Sequence, residues 1–155
     1  MEVRFYHLEK TPLEKGCAKL LERVLDSGER AVLHMGDPER LAHLNTVLWT
    51  YASAAFLPHG TSKEGSPDKQ PIWLTTDFDN PNGASVILLC DGQVLPEGTS
   101  FTRCLDLFDA SDDSARMEAR DRWRVYKERG YHLAYWKQNA QGVWEVPTSP
   151  GATVR

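Results

Sequence analysis

Residues 3–35, VRFYHLEKTPLEKGCAKLLERVLDSGERAVLHM, contain the pattern on which the fold turns. Val3 to Leu8 is aromatic and β-branched, which predicts a strand. Thr11-Pro12-Leu13-Glu14 predicts a helix start, with Thr11 as N-cap, Pro12 at the first helical position and Glu14 closing a capping box. Leu13, Cys17, Leu20, Leu21 and Val24 then recur at helical spacing until Ser27-Gly28 stops the run. Ala31 to Met35 is short and nearly all apolar, as a strand covered on both faces of a parallel sheet must be.

Working outward, Asp37-Pro38 repeats the cap-and-proline signal, and Leu41, Leu44, Val47 and Leu48 continue a second helix. Strand, helix, strand, helix predicts an α/β domain with a parallel sheet. Ile72 to Thr75, Ser85 to Cys90 and Arg103 to Phe108 read as further strands, and Pro81-Asn82-Gly83 as a turn. Asp112 or Asp113 caps a long helix that runs to Arg129 and is closed by Gly130. Tyr131 to Lys137 alternates like a strand, and Asn139 to Gly142 turns it towards Val143-Trp144-Glu145. The expectation is a single domain over residues 1–146 and a disordered tail over 147–155.

Composition narrows the function. Lys and Arg number 18 against 22 Asp and Glu, a net charge of −4, whereas a general nucleic-acid coat draws its affinity from an excess of cations. Direct, specific nucleic-acid binding is therefore not expected. No apolar run reaches the roughly 20 residues that span a bilayer. The opening MEVRFYHLEK lacks the signal-peptide pattern, so a cytoplasmic location is expected. Cys17, Cys90 and Cys104 have no C-x-x-C spacing and read as buried, reduced thiols.

Motif chemistry is sparse. LEKTPLEKG after the first strand cannot cradle a pyrophosphate, and neither a Walker A sequence nor a G-x-S-x-G elbow occurs, so no cofactor is expected. Asp77, Asp79 and Asn80 begin like a calcium loop, but no glutamate stands at its twelfth position; turn chemistry is the reading, and no metal site is expected. His7, His34, His43, His59 and His132 show no metal-ligand spacing. A small α/β enzyme with its site near the Asp77/Asp79 loop is the alternative to a binding module.

Two stretches stand out. Arg116, Arg120, Arg124 and Lys127 fall on one stripe of the last helix beside Trp123. Such a row is either a solvated face with intrahelical ion pairs or a surface for an acidic ligand with an aromatic anchor. Trp49, Phe56 and Leu57 surround the end of the second helix, and they either close the core or form an exposed patch for a protein partner.

The order of these pieces resembles the chi subunit family of bacterial DNA polymerase III. The landmarks are Phe5, Tyr6 and Leu8, Leu48-Trp49, Phe56-Leu57-Pro58-His59, Ala119 to Lys127 (ARDRWRVYK), and Gly130 to Trp136 (GYHLAYW). The resemblance implies a Rossmann-like three-layer sandwich, its mostly parallel central sheet flanked by helices, without nucleotide-binding or catalytic residues. It implies two partners: the acidic, phenylalanine-ended C-terminal tail of single-stranded-DNA-binding protein, and the psi subunit, which links to the clamp loader. The tail-binding positions fall on Arg116, Arg120, Trp123 and Arg124, and the psi-binding positions on Trp49, Phe56 and Leu57. Asp109 stands where an apolar residue would be expected and is left out of the site.

Overall fold

The computed structural model describes residues 1–9, 11–50, 59–62, 65–138 and 144–145. Eight strands and three helices follow in the order β1 (Glu2–Leu8), α1 (Leu13–Asp26), β2 (Ala31–His34), α2 (Pro38–Trp49), β3 (His59–Gly60), β4 (Ile72–Thr75), β5 (Val86–Leu89), β6 (Arg103–Asp109), α3 (Asp113–Glu128), β7 (His132–Gln138) and β8 (Trp144–Glu145). The strands form one sheet in the order β3-β4-β2-β5-β6-β1-β7-β8. Every pairing is parallel except β7 with β8. The expected α/β three-layer sandwich is therefore present.

Alternation along the strands sorts side chains onto two faces. Tyr6, Leu8, Leu33, Leu74, Leu88, Leu105 and Leu107 pack against α1 and α2. Val3, Phe5, Val32, Ile87, Leu89, Cys104 and Phe108 pack against Ala119 and Tyr126 of α3. β2, β4 and β5 are buried at every position, the mark of strands covered on both sides. All three cysteines are buried free thiols.

Local chemistry explains most boundaries. The Asp37 carboxylate accepts from Glu39 N at 2.9 Å, with Pro38 opening α2. The Asp112 carboxylate accepts from Ser114 N at 2.9 Å and Ala115 N at 3.4 Å at the head of α3. Gly130, at φ +79°, takes the left-handed conformation that ends α3. α1 differs from expectation: it begins at Leu13, with Pro12 as N-cap and no side-chain cap. The Thr11 hydroxyl is committed elsewhere, accepting from Gln138 Nε2 of β7 at 2.7 Å. Gly16 lets α1 lie close to β1, since a Cβ there would stand 3.1 Å from a Leu8 methyl.

The segment after β5 takes the place of a fourth helix. Leu95 and Phe101 are buried in the α3 face of the core. Leu95 N donates to the Tyr126 hydroxyl at 2.9 Å, and the Arg129 guanidinium donates to Leu95 O. At the turn before β5, Asn82 Nδ2 donates to Ala31 O and Gln70 O at 3.1 and 3.0 Å. Asn80 closes the same turn by accepting from Ala84 N at 2.7 Å. Asp77 and Asp79 are exposed beside it.

One buried ion pair fixes α3 on the sheet. Arg122 Nε and Nη2 donate to the two oxygens of Asp106 at 2.7 and 2.9 Å, with both residues at most 3% exposed. Burial pushes the Asp106 carboxyl above its ordinary range, and the guanidinium draws it back. Arg122→Ala leaves that carboxyl unpartnered, and a loss of about 3–5 kcal/mol of folding free energy is expected by urea denaturation. An Arg122→Met/Asp106→Leu double variant should recover most of that loss, because it removes both charges together.

Candidate functional site

The sequence stripe on α3 borders an open cleft of about 540 Å³. β1 and β7 supply its floor. Their register sets Phe5 beside Tyr135 and His7 beside Lys137, and alternation turns all four toward α3. Phe108 of β6, the register partner of His7, joins them. α3 forms the other wall with Arg116, Ala119, Arg120, Trp123 and Arg124. Ala119 lies at the base, where its single methyl leaves the space open.

The aromatic lining is held edge-on. The Trp123 ring meets Phe5 at 5.3 Å and Tyr135 at 6.2 Å between centroids, at interplanar angles of 60° and 70°. Such geometry suits the ring quadrupole and fixes the indole at the cleft margin, half-buried.

The cations stand above these rings. Arg116 pairs with Asp113 at 2.6 Å and also donates to Ala110 O at 3.2 Å. Arg124 pairs with Asp121 at 3.4 Å. Both are exposed i,i+3 pairs, worth a few tenths of a kcal/mol, so they position the guanidinium groups without locking them. Arg120 is exposed and, among the described residues, makes no ion pair. Lys137 lies 3.6 Å from Glu9. The two readings of the stripe thus coexist: intrahelical pairs form, and the row still faces a cleft. Arg122, which sequence placed on the outer face among charged neighbours, points inward to Asp106 instead. Lys127 is exposed and lies beyond the cleft residues.

At the far end of the floor, His7 Nε2 meets Glu9 Oε1 at 2.8 Å and His7 Nδ1 meets the Tyr135 hydroxyl. Burial lowers the affinity of the His7 ring for a proton, and Glu9 partly restores it. Burial also pushes the Tyr135 hydroxyl up to about 12, so it stays protonated. Phe5, His7, Phe108, Tyr135 and Lys137 were missed as site residues. Alternation in β1 and β7 carried part of the signal, but only the register reveals that these strands are neighbours.

Asp109 lies outside this cleft. Its carboxylate accepts from the backbone N and hydroxyl of Ser111 at 3.0 and 2.6 Å. It lines a second cleft of about 490 Å³ on the opposite flank of α3, with Asp91, Asp112, Glu118 and Arg40.

Trp49, the last residue of α2, is 56% exposed, its ring 4.3 Å from that of His59. Phe56 and Leu57 lie outside the described residues, as do Asn139 to Val143 and the tail from residue 146. Among the described residues, no helix is long and apolar enough to cross a membrane.

Comparison with known proteins bears on this arrangement. The profile of the family described as DNA polymerase III chi subunit, HolC, matches residues 1–134. The chain is 36% identical over 84 residues to the Probable DNA polymerase III subunit chi of Rickettsia prowazekii, 54% of this chain and 51% of that protein, so it spans about half of that relative. It is 29% identical to DNA polymerase III subunit chi of Pseudomonas aeruginosa over 78% of this chain and 82% of that one. With the Escherichia coli protein of the same name it shares 27% identity over 72% and 77% of the two chains. On a match that runs from the first residue through the start of β7, the chain belongs to the DNA polymerase III chi subunit family.

Proposed function

We propose that this chain is a non-catalytic docking subunit of the replication polymerase, and that the α3 cleft receives the acidic, phenylalanine-ended C-terminal tail of single-stranded-DNA-binding protein. The observation that carries the reading is the pairing of a cationic rim with an aromatic floor in one open cleft. A flexible acidic peptide needs both. Guanidinium forks grip carboxylates with charge-assisted hydrogen bonds, each contributing about 1.5–3 kcal/mol. The terminal ring buries against Trp123, Phe5 and Tyr135, where aromatic pairs prefer the edge-on contacts already present.

The four cations divide the work. Arg120 approaches the ligand without first leaving an aspartate. Arg116 and Arg124 exchange Asp113 and Asp121 for the peptide's own acids, a nearly neutral exchange because the pairs are exposed. After the cost of ordering a flexible tail, a few such contacts and one buried ring correspond to a Kd of about 1–10 µM.

The Trp49 end of α2 supports a second contact, with psi as the partner and a link through it to the clamp loader. An exposed indole at a helix end is the kind of anchor around which a small interface forms. Phe56 and Leu57 belong to the same proposal.

Fluorescence anisotropy with a labelled acidic peptide ending in phenylalanine tests the first contact. Arg120→Glu should weaken binding by more than about tenfold, and Trp123→Ala by about tenfold, with circular dichroism unchanged. Affinity should also fall as salt rises. Unchanged binding in both variants rejects the cleft as the tail site. For the second contact, Trp49→Ala should abolish co-purification with psi while leaving peptide binding intact, since the two surfaces share no residue.

A further inference from the structure

The inference concerns the end of the cleft away from the arginines and rests on the tail-docking reading above. Tyr135 and Lys137 lie just beyond the residues that the family profile matches. Here Glu9, His7 and Tyr135 form a chain of hydrogen bonds that ends at the cleft floor.

Proton positions in this chain follow from the groups themselves. An ionised carboxylate only accepts hydrogen bonds. Glu9 Oε1, 2.8 Å from His7 Nε2, therefore requires the proton of the neutral ring on Nε2. Nδ1 is then a lone pair, and the Tyr135 hydroxyl donates to it. In that state the hydroxyl proton is held by His7, and Tyr135 presents only oxygen lone pairs to the cleft. These repel a carboxylate. When His7 takes a second proton, Nδ1–H donates to the Tyr135 oxygen. The hydroxyl proton is released, and Tyr135 becomes a donor toward the cleft.

We propose that His7 is a positioning residue of this cleft: its protonation reverses the His7–Tyr135 hydrogen bond, aims the Tyr135 hydroxyl at an incoming peptide carboxylate and adds one positive charge to the rim. The cleft consequently grips an acidic peptide harder in mildly acidic solution.

The surroundings set the range. On its own strand extension His7 faces Glu9, which favours the charged ring; from β7 it faces Tyr135 and Lys137, and from α3 Arg116. The two cations and burial oppose protonation. β6 contributes the Phe108 ring edge-on at 5.4 Å, while Asp109, next on that strand, is turned to Ser111. The ring is thus held below its ordinary value and is neutral at pH 7, so the tighter state is populated below about pH 6.5. A bound carboxylate favours the charged ring, so by reciprocity the peptide raises the His7 midpoint.

The test is the affinity of the full chain for an acidic peptide ending in phenylalanine, measured from about pH 5.5 to about pH 8, where the peptide carboxylates stay ionised. Wild type should bind about fivefold tighter at the acidic end, the effect of one added charge near a carboxylate. His7→Gln should give a flat profile, and Tyr135→Phe a shallower one, retaining the charge but losing the donor. Wild-type binding that is independent of pH, or a His7→Gln slope equal to wild type, overturns the proposal. An NMR titration of the wild-type His7 ring gives a readout that needs no variant: its midpoint should rise when the peptide is saturating, and an unmoved midpoint overturns the proposal. If wild type binds the peptide at no pH, the docking reading itself fails; binding without pH dependence removes only the role of His7.

Discussion

The two hydrogen bonds between Arg122 and Asp106 set the angle at which α3 lies on the sheet. A helix turns about 100° per residue, so committing one position fixes every other. With Arg122 turned inward, Ala119 and Tyr126 join it against β6 and β1, and Trp123, Arg116, Arg120 and Arg124 come round to the open flank. An apolar contact could slide or rotate by a fraction of a turn. A bidentate pair with both partners buried cannot do so without stranding a charge. The cleft is therefore a consequence of helix orientation, and that orientation rests on a polar contact inside an apolar layer.

The same orientation sorts the charge. α3 divides two clefts of similar size. One is rimmed by Arg116, Arg120, Arg124 and Lys137, and the other is lined by Asp91, Asp109, Asp112 and Glu118. The overall balance of −4 hides this division, because the acids and bases of one helix face opposite ways. Net charge argued correctly against a general nucleic-acid coat and said nothing of what a single flank could attract. Arg120 matters most on that flank because its neighbours already hold aspartates of their own.

Much of this was legible in the chain. Buried strands such as Ala31–His34 and Val86–Leu89 announce themselves by continuous apolar character, and the caps Asp37 and Asp112 by their chemistry. Arg116, Arg120, Trp123 and Arg124 stood out by helical spacing, and the structure brings all four to one cleft. Two kinds of information were absent. Thr11 looked like a cap because nothing local tells that Gln138, far along the chain, claims its hydroxyl. Arg122 looked like one more surface cation because its partner Asp106 lies on a different element. His7 and Tyr135 escaped for the same reason: a parallel sheet joins strands remote in sequence, and register is not a local property.

The central place of β1 carries a consequence for how the protein is made. β1 is the first element to leave the ribosome, yet both of its neighbours, β6 and β7, belong to the last third of the chain. Until residues 103–138 have been synthesised, the opening strand has neither flanking partner, and a bare strand edge is a template for pairing with other chains. Translation must therefore be almost finished before the sheet can close, and folding has to wait for contacts of long sequence separation, which are slow to form.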